Sequence, residues 1–231
     1  MINPSTPEFD QYAARFEEDM RRTIPAAFAE GQYFAEYKIR HVARRLLDQP
    51  VKSFLDFGCG VGHSLGFANA QFPNAEIWGY DESSKCIELA RQRVGMAKLT
   101  SNLDDLPTGG FDVVFAANVF HHIPFANRKA AMARCKSLLG AGGRIFLFEH
   151  NPLNPVTRKI FERCPFDKEA AMLRRREVLL LAQAVGLCVM RSDYTLFFPR
   201  QLGFMRPVEH MLGWLPLGAQ YCIEMATQHH S

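Results

Sequence analysis

Three groups of residues in this chain have the types and spacing to do chemistry. Gly58, Gly60 and Gly62 alternate in "DFGCGVGHSL", with Asp56 just ahead of them. Asp81 closes "IWGYD" roughly 20 residues further on. Two adjacent imidazoles, His121 and His122, follow "FDVVFAANVF". Alternate glycines let the backbone turn with positive φ and admit a ligand where a Cβ would stand. On its own such a cluster is equally the bend between a strand and a helix. Asp81 shifts that balance, because a carboxylate at the end of the next strand can accept hydrogen bonds from both ribose hydroxyls of a nucleoside. The paired histidines add proton chemistry near neutral pH.

The nucleoside is not carried on a pyrophosphate. A dinucleotide loop wants G-x-G-x-x-G, and His63 stands at the sixth position. Asp56 sets a negative charge beside the loop, which disfavours phosphate and favours a cation or an amino-acid ammonium. No G-x-x-x-x-G-K-[ST] is present, so a P-loop is excluded.

These residues need a frame that brings strand ends together, and the apolar periodicity supplies one. Strands are expected at 52–57, 75–81, 97–102, 111–120, 142–150, 187–198 and 219–227. Helices are expected at 9–20, 33–47, 62–71, 84–94, 125–139 and 168–185. Such alternation implies a parallel sheet covered by helices on both faces. Ligands of such sheets bind beyond the carboxyl ends of the strands, where the strand order reverses.

Composition limits the alternatives. The 231 residues suit one elaborated domain, with 48% hydrophobic and 22% charged residues. We divide it into an N-terminal helical cap (1–49), a core (50–150) and a C-terminal part (151–231). The net charge of +3, with Arg174-Arg175-Arg176 as the longest basic tract, gives no footprint for nucleic acid. Six cysteines without a C-x-x-C pair argue for reduced thiols and against a zinc site, so no metal is expected. The polar, acidic N-terminal sequence is unlike a targeting peptide and no run approaches a membrane span, so a cytoplasmic protein is expected.

"FLDFGCGVGHSL", "IWGYDESSKCIELAR", "NLDDLP", "FDVVFAANVFHHI" and "LGAGGRIFLFEH" follow one another across residues 50 to 150. In that order they resemble the successive motifs of class I S-adenosylmethionine-dependent methyltransferases. The resemblance implies a doubly wound Rossmann-like α/β fold. Its seven-stranded, mostly parallel sheet has order 3-2-1-4-5-7-6 with the seventh strand antiparallel, and N-terminal helices and a late insertion form a lid. It implies S-adenosyl-L-methionine as cofactor. Asp56 would serve the methionine end and Gly58, Gly60 and Gly62 the loop beneath it. Asp81 would bind the ribose, with Glu82 beside the adenine edge. Asn102, where the family commonly has Asp, and Leu103 would meet the adenine. Ala117 and Asn118 would line the methionine side.

Transfer from a sulfonium needs an aligned nucleophile more than an acid. A hydroxyl acceptor benefits from a base, and His122, ahead of His121, is the expected one; Tyr37, Glu149 and His150 stand in reserve. The acceptor is expected to be a small molecule, anionic or amphiphilic, such as a sugar or a lipid-linked glycan precursor. Three segments would shape its site. The N-terminal helices bring Tyr12, Phe16, Tyr33, Tyr37 and Lys38. An ordered loop, "HNPLNP", continues through Arg158 and Arg163 to Asp167. A third segment, 194–218, is rich in aromatics and arginines. Within it Met205, Val208, Met211, Leu212 and Leu215 could form a membrane-surface face, though packing on the sheet is the expectation. Two other classes remain: an inactive S-adenosylmethionine-binding partner subunit, and a nicotinamide oxidoreductase, which would share the fold but lacks here the sixth-position glycine and a Tyr-x-x-x-Lys pair.

Overall fold

The computed structural model describes residues 31–227 apart from 165, 166, 169 and 199. The first expected helix, with Tyr12 and Phe16, lies outside the described residues. Helix α1 (Gly31–Arg45) leads to β1 (Ser53–Phe57), α2 (His63–Gln71), β2 (Glu76–Tyr80), α3 (Ser84–Arg93) and β3 (Lys98–Thr100). A 3₁₀ turn (Leu103–Asp105) precedes β4 (Phe111–Ala117), α4 (Phe125–Leu138) and β5 (Leu139–His150). The chain ends in α5 (Pro155–Phe161), α6 (Arg175–Ala184), β6 (Leu187–Thr195), a 3₁₀ segment (Arg200–Val208), the short α7 (Glu209–Leu212) and β7 (Gln220–Thr227).

The strands form one seven-stranded sheet in the order β3-β2-β1-β4-β5-β7-β6. β1 pairs in parallel with β2 on one side and with β4 on the other, so the strand order reverses there. Loops after β1 and β4 therefore open a crevice at their carboxyl ends. β7 runs antiparallel to both β5 and β6. The central strands are buried on both faces, which is why they read as continuous apolar runs. Phe54, Val113, Phe115, Phe146 and Phe148 fill the core on one face, beneath α1 and α2. Leu55, Val114, Ile145, Leu147 and Ile223 fill the other.

Two expectations need correction. The helix expected at 168–185 begins only at Arg175. The backbone ahead of it is engaged elsewhere: the Ala171 N–H donates to the His121 carbonyl, and Arg128 and Tyr221 donate to the carbonyls of Ala171 and Leu173. Helix α6 then starts where the Glu177 carboxylate accepts the Arg174 N–H at 2.6 Å. The second correction concerns 205–215, where packing on the sheet was expected. Met205, Leu212 and Leu215 are half-buried, but Met211 is largely exposed and Val208 partly so; no helix among the described residues is long and apolar enough to cross a membrane. All six cysteines are free.

Candidate active site

The loop after β1 is shaped by glycines in left-handed conformations: φ is +79° at Gly58, +50° at Gly60 and +82° at Gly62. Their surroundings differ. A Cβ on Gly58 would stand 2.4 Å from Val119, so that glycine permits loop-to-loop packing. A Cβ on Gly60 would meet nothing within 4 Å, so that glycine keeps open space in the crevice. Asp81 fixes the loop from the next strand. Its Oδ2 accepts the Gly60 N–H at 2.8 Å and its Oδ1 accepts the Ser83 N–H at 3.0 Å. A carboxylate has about four acceptor positions, so these bonds leave capacity for ligand hydroxyls.

Asp56, near the end of β1, is buried. Ser64 hydrogen-bonds its carboxyl, while Oδ2 has no partner among the described residues. Burial, with Asp81 nearby, pushes its pKa up to about 7. Lys38 of α1 is buried on the same cavity, and burial lowers its pKa to about 8. An orphaned carboxylate oxygen at the floor of a crevice fits an ammonium ligand, because an uncompensated buried charge is otherwise costly.

One cavity of about 960 Å³ runs from this loop past Asn118 to the two histidines. Asn118 ends the β4 turn with φ 60°, a conformation that Asn tolerates better than most residues, and its Oδ1 accepts from Gln220. Beyond it, His121 is buried between two carboxylates. Its Nδ1 lies 2.6 Å from Glu149 Oε2, and its Nε2 lies 3.4 Å from Asp167 Oδ1. Glu149 is itself held, accepting the Phe120 N–H at 2.7 Å through Oε1. His122 Nε2 is 3.5 Å from the same Asp167 oxygen. Burial opposes a charge on His121, but Glu149 and Asp167 prevail and hold its pKa up to about 9. Burial, reinforced by His121, drives His122 down to about 3. Apolar walls come from Phe34, Ile160, Phe161, Leu196, Phe197 and Phe198.

Residues 55–145 match the sequence profile of the family described as "Methyltransferase domain". A probable fatty acid methyltransferase of Pseudomonas putida is 34% identical over 112 residues, 45% of this chain and 27% of that protein. A trans-aconitate 2-methyltransferase of Methylobacterium radiotolerans is 32% identical over 133 residues, 56% of this chain and 44% of that protein. The chain thus spans less than half the length of these two curated relatives. A SAM-dependent methyltransferase structure from Archaeoglobus fulgidus superposes with a TM-score of 0.70 at 16% identity, covering 93% of this chain and 99% of that one. Residues 55–145 thus carry a methyltransferase domain, on the fold of S-adenosylmethionine-dependent methyltransferases.

The methyltransferase cavity gathers most of the residues singled out from sequence, namely Asp56, Gly58, Gly60, Asp81, Glu82, Leu103, Ala117, Asn118, His121 and His122. Gly62 does not line it; this residue packs against Ala90 as the loop enters α2. Asn102 does not line it either. Its Oδ1 caps the 3₁₀ turn by accepting the Asp104 N–H and its amide donates to Asp105, so Asp104 faces the cavity instead. Arg158, paired with Glu162, and Arg163 are exposed and outside the lining. Tyr37 donates to Glu209, and burial raises its pKa far above the ordinary tyrosine value, which suits a strap rather than a base. Glu209 also accepts the N–H groups of Phe197 and Phe198, tying α1 to the late aromatic wall. Gln220 was missed in the sequence because its place on the wall comes from strand pairing, opposite His150 and Thr195. Helix α5 was missed too, although Asn154 followed by Pro155 is an N-cap and first-turn signal.

Proposed function

We propose that this domain transfers the methyl group of S-adenosylmethionine to a hydroxyl oxygen of a small amphiphilic acceptor. When bound, the cofactor supplies an electrophilic methyl carbon on a sulfonium, whose bonding pair stays on sulfur as a neutral thioether leaves. Asp56 takes the ammonium, Asp81 the ribose hydroxyls, and Gly60 leaves room for the chain between them. Leu103 and Asp104 flank the adenine end. His121, held between Glu149 and Asp167, and His122 face the acceptor oxygen, whose proton leaves to water as the new O–C bond forms. The observation that carries this reading is the single cavity joining the glycine loop to the histidines.

The acceptor's character follows from the walls. Glu149 and Asp167 stand behind the histidines and disfavour a carboxylate there, while a hydroxyl is tolerated. Arg158 and Arg163 lie outside the lining, so they lend no support to an anionic acceptor. Aromatic and aliphatic walls suit an apolar body, so a lipid-linked sugar fits better than a free one. Exposed Leu153, Val156 and Leu217 around α5 support delivery of such a molecule. The curated relatives are named for small molecules, which agrees in kind.

The test is to incubate cell extract and purified protein with methyl-labelled cofactor and identify the labelled product. A labelled ether on an amphiphilic compound is expected. Cofactor binding with no labelled product in any extract would favour the inactive partner subunit.

A further inference from the structure

We propose that His121, His122 and Asp167 form a divalent metal site, occupied by zinc, whose open position faces the acceptor. The role of this site rests on the methyl-transfer reading above, but its existence rests on geometry alone. The three ligand atoms lie within 4.8 Å of one another. Zinc bound at about 2.0–2.2 Å by nitrogen and oxygen in a tetrahedron sets neighbouring ligands about 3.3–3.5 Å apart. Asp167 Oδ1 is 3.4 Å from His121 Nε2 and 3.5 Å from His122 Nε2. Those separations are long for hydrogen bonds and right for two edges of a coordination tetrahedron.

The support behind the ligands points the same way. A ligating histidine characteristically gives its other ring nitrogen to a carboxylate, which fixes the ring and its tautomer. His121 does so through Nδ1 to Glu149 at 2.6 Å, and Glu149 is locked by the Phe120 N–H. That arrangement turns His121 Nε2 toward Asp167. The two buried or half-buried carboxylates, Glu149 and Asp167, beside the imidazoles also favour a positive ion there. All three ligands line the cavity, so three protein ligands leave a fourth position for the substrate, as catalytic zinc requires. A hydroxyl bound at that position loses its proton to water more readily, keeps the O–H pair on oxygen, and becomes the nucleophile. The site is hard to read from sequence because the histidines and Asp167 lie on separate segments, 45 or more residues apart.

Calorimetric titration of chelator-treated full chain with Zn²⁺ tests the site, with Co²⁺ absorption as a second reading. One ion per chain is expected, with a tetrahedral cobalt spectrum free of thiolate charge-transfer bands. His122→Ala and Asp167→Asn should each weaken Zn²⁺ by more than about 100-fold, and Glu149→Gln by about 10–100-fold. S-adenosylmethionine affinity, measured on the same samples, should stay near wild type and reports that each variant is folded. No ion bound by the wild-type chain, a thiolate spectrum, or unchanged Zn²⁺ affinity in the folded variants would overturn the site. Cofactor binding without zinc sinks this inference alone; zinc without cofactor binding sinks the methyl-transfer reading alone.

Discussion

At its glycine-loop end the cavity is walled by backbone, from two neighbouring strands and the turns that follow them. The Gly58 N–H donates to the Tyr80 carbonyl at 2.7 Å and the Gly60 N–H to the Asp81 carboxylate at 2.8 Å, so the loop is positioned from the neighbouring strand. At its histidine end the cavity is walled by side chains from five separate segments: α1, the turn after β4, the end of β5, α5 with its following loop, and residues 196–220. There His121 depends on Glu149, which is 28 residues away, and Tyr37 depends on Glu209, 172 residues away. The side chains of the second end can therefore vary without disturbing the sheet, whereas those of the first cannot.

Breaking the histidine end should give the largest effect and leave the other end intact. His122→Ala is expected to lower turnover about 10²–10⁴-fold, the usual cost of losing a group that activates a reacting hydroxyl. Its affinity for S-adenosylmethionine should move by less than a few-fold. Equal losses in both would mean that the two ends are not separable.

Breaking the glycine end should do the reverse. Asp81→Ala removes charge-assisted hydrogen bonds to two hydroxyls, at roughly 1.5–3 kcal/mol each. S-adenosylmethionine and S-adenosylhomocysteine should both weaken on the order of 100-fold or more by calorimetry. Within the loop, Gly60→Val puts a branched side chain into open crevice and should abolish cofactor binding in a folded protein. Gly58→Ala instead drives a methyl into Val119 and should appear as a lower melting temperature. A Gly60→Val protein that melts early yet binds cofactor would make that glycine a structural bend.

A milder lever is pH. The Asp56 carboxyl is pushed up to about 7 by burial and then by Asp81. Only its ionised form pairs with an ammonium, so cofactor affinity should fall about tenfold per unit as pH drops below 7. Stability has the opposite sign. Between the ordinary carboxylate value near 4 and about 7 the folded state binds more protons than the unfolded one, so rising pH costs stability across that window. Asp56→Asn should therefore raise the melting temperature at pH 8 while weakening the cofactor and flattening its pH dependence. Melting scans and titrations on one variant read both signs.

The two ends also differed in how far the sequence disclosed them. β1, its loop and β2 are contiguous, and alternating glycines, an apolar run and a carboxylate mark them by local chemistry. The strand order followed from the resemblance, and the antiparallel β7 takes its expected place. Helix α6 came out shorter than its apolar period because the preceding backbone is tied to His121 and Tyr221, a tertiary demand that no local pattern carries. Asn102 stands at the motif position where the family commonly has Asp, and its side chain serves as a cap. The histidines could be named as a pair, but nothing near them in sequence showed that Glu149 and Asp167 would close around His121. Those carboxylates hold His121 up to about 9, while burial and then His121 drive His122 down to about 3. A single neutral base near pH 7 was the expectation, and neither ring has that value.

The central claim is that the crevice between β1, β2 and β4 holds S-adenosylmethionine through Asp56, Asp81 and the glycine loop. Calorimetric titration of the wild-type chain with S-adenosylmethionine, S-adenosylhomocysteine and NAD tests it most directly. Stoichiometric binding of the first two, with no heat from NAD, is the predicted result. Binding of NAD with no response to either sulfur nucleoside would contradict it.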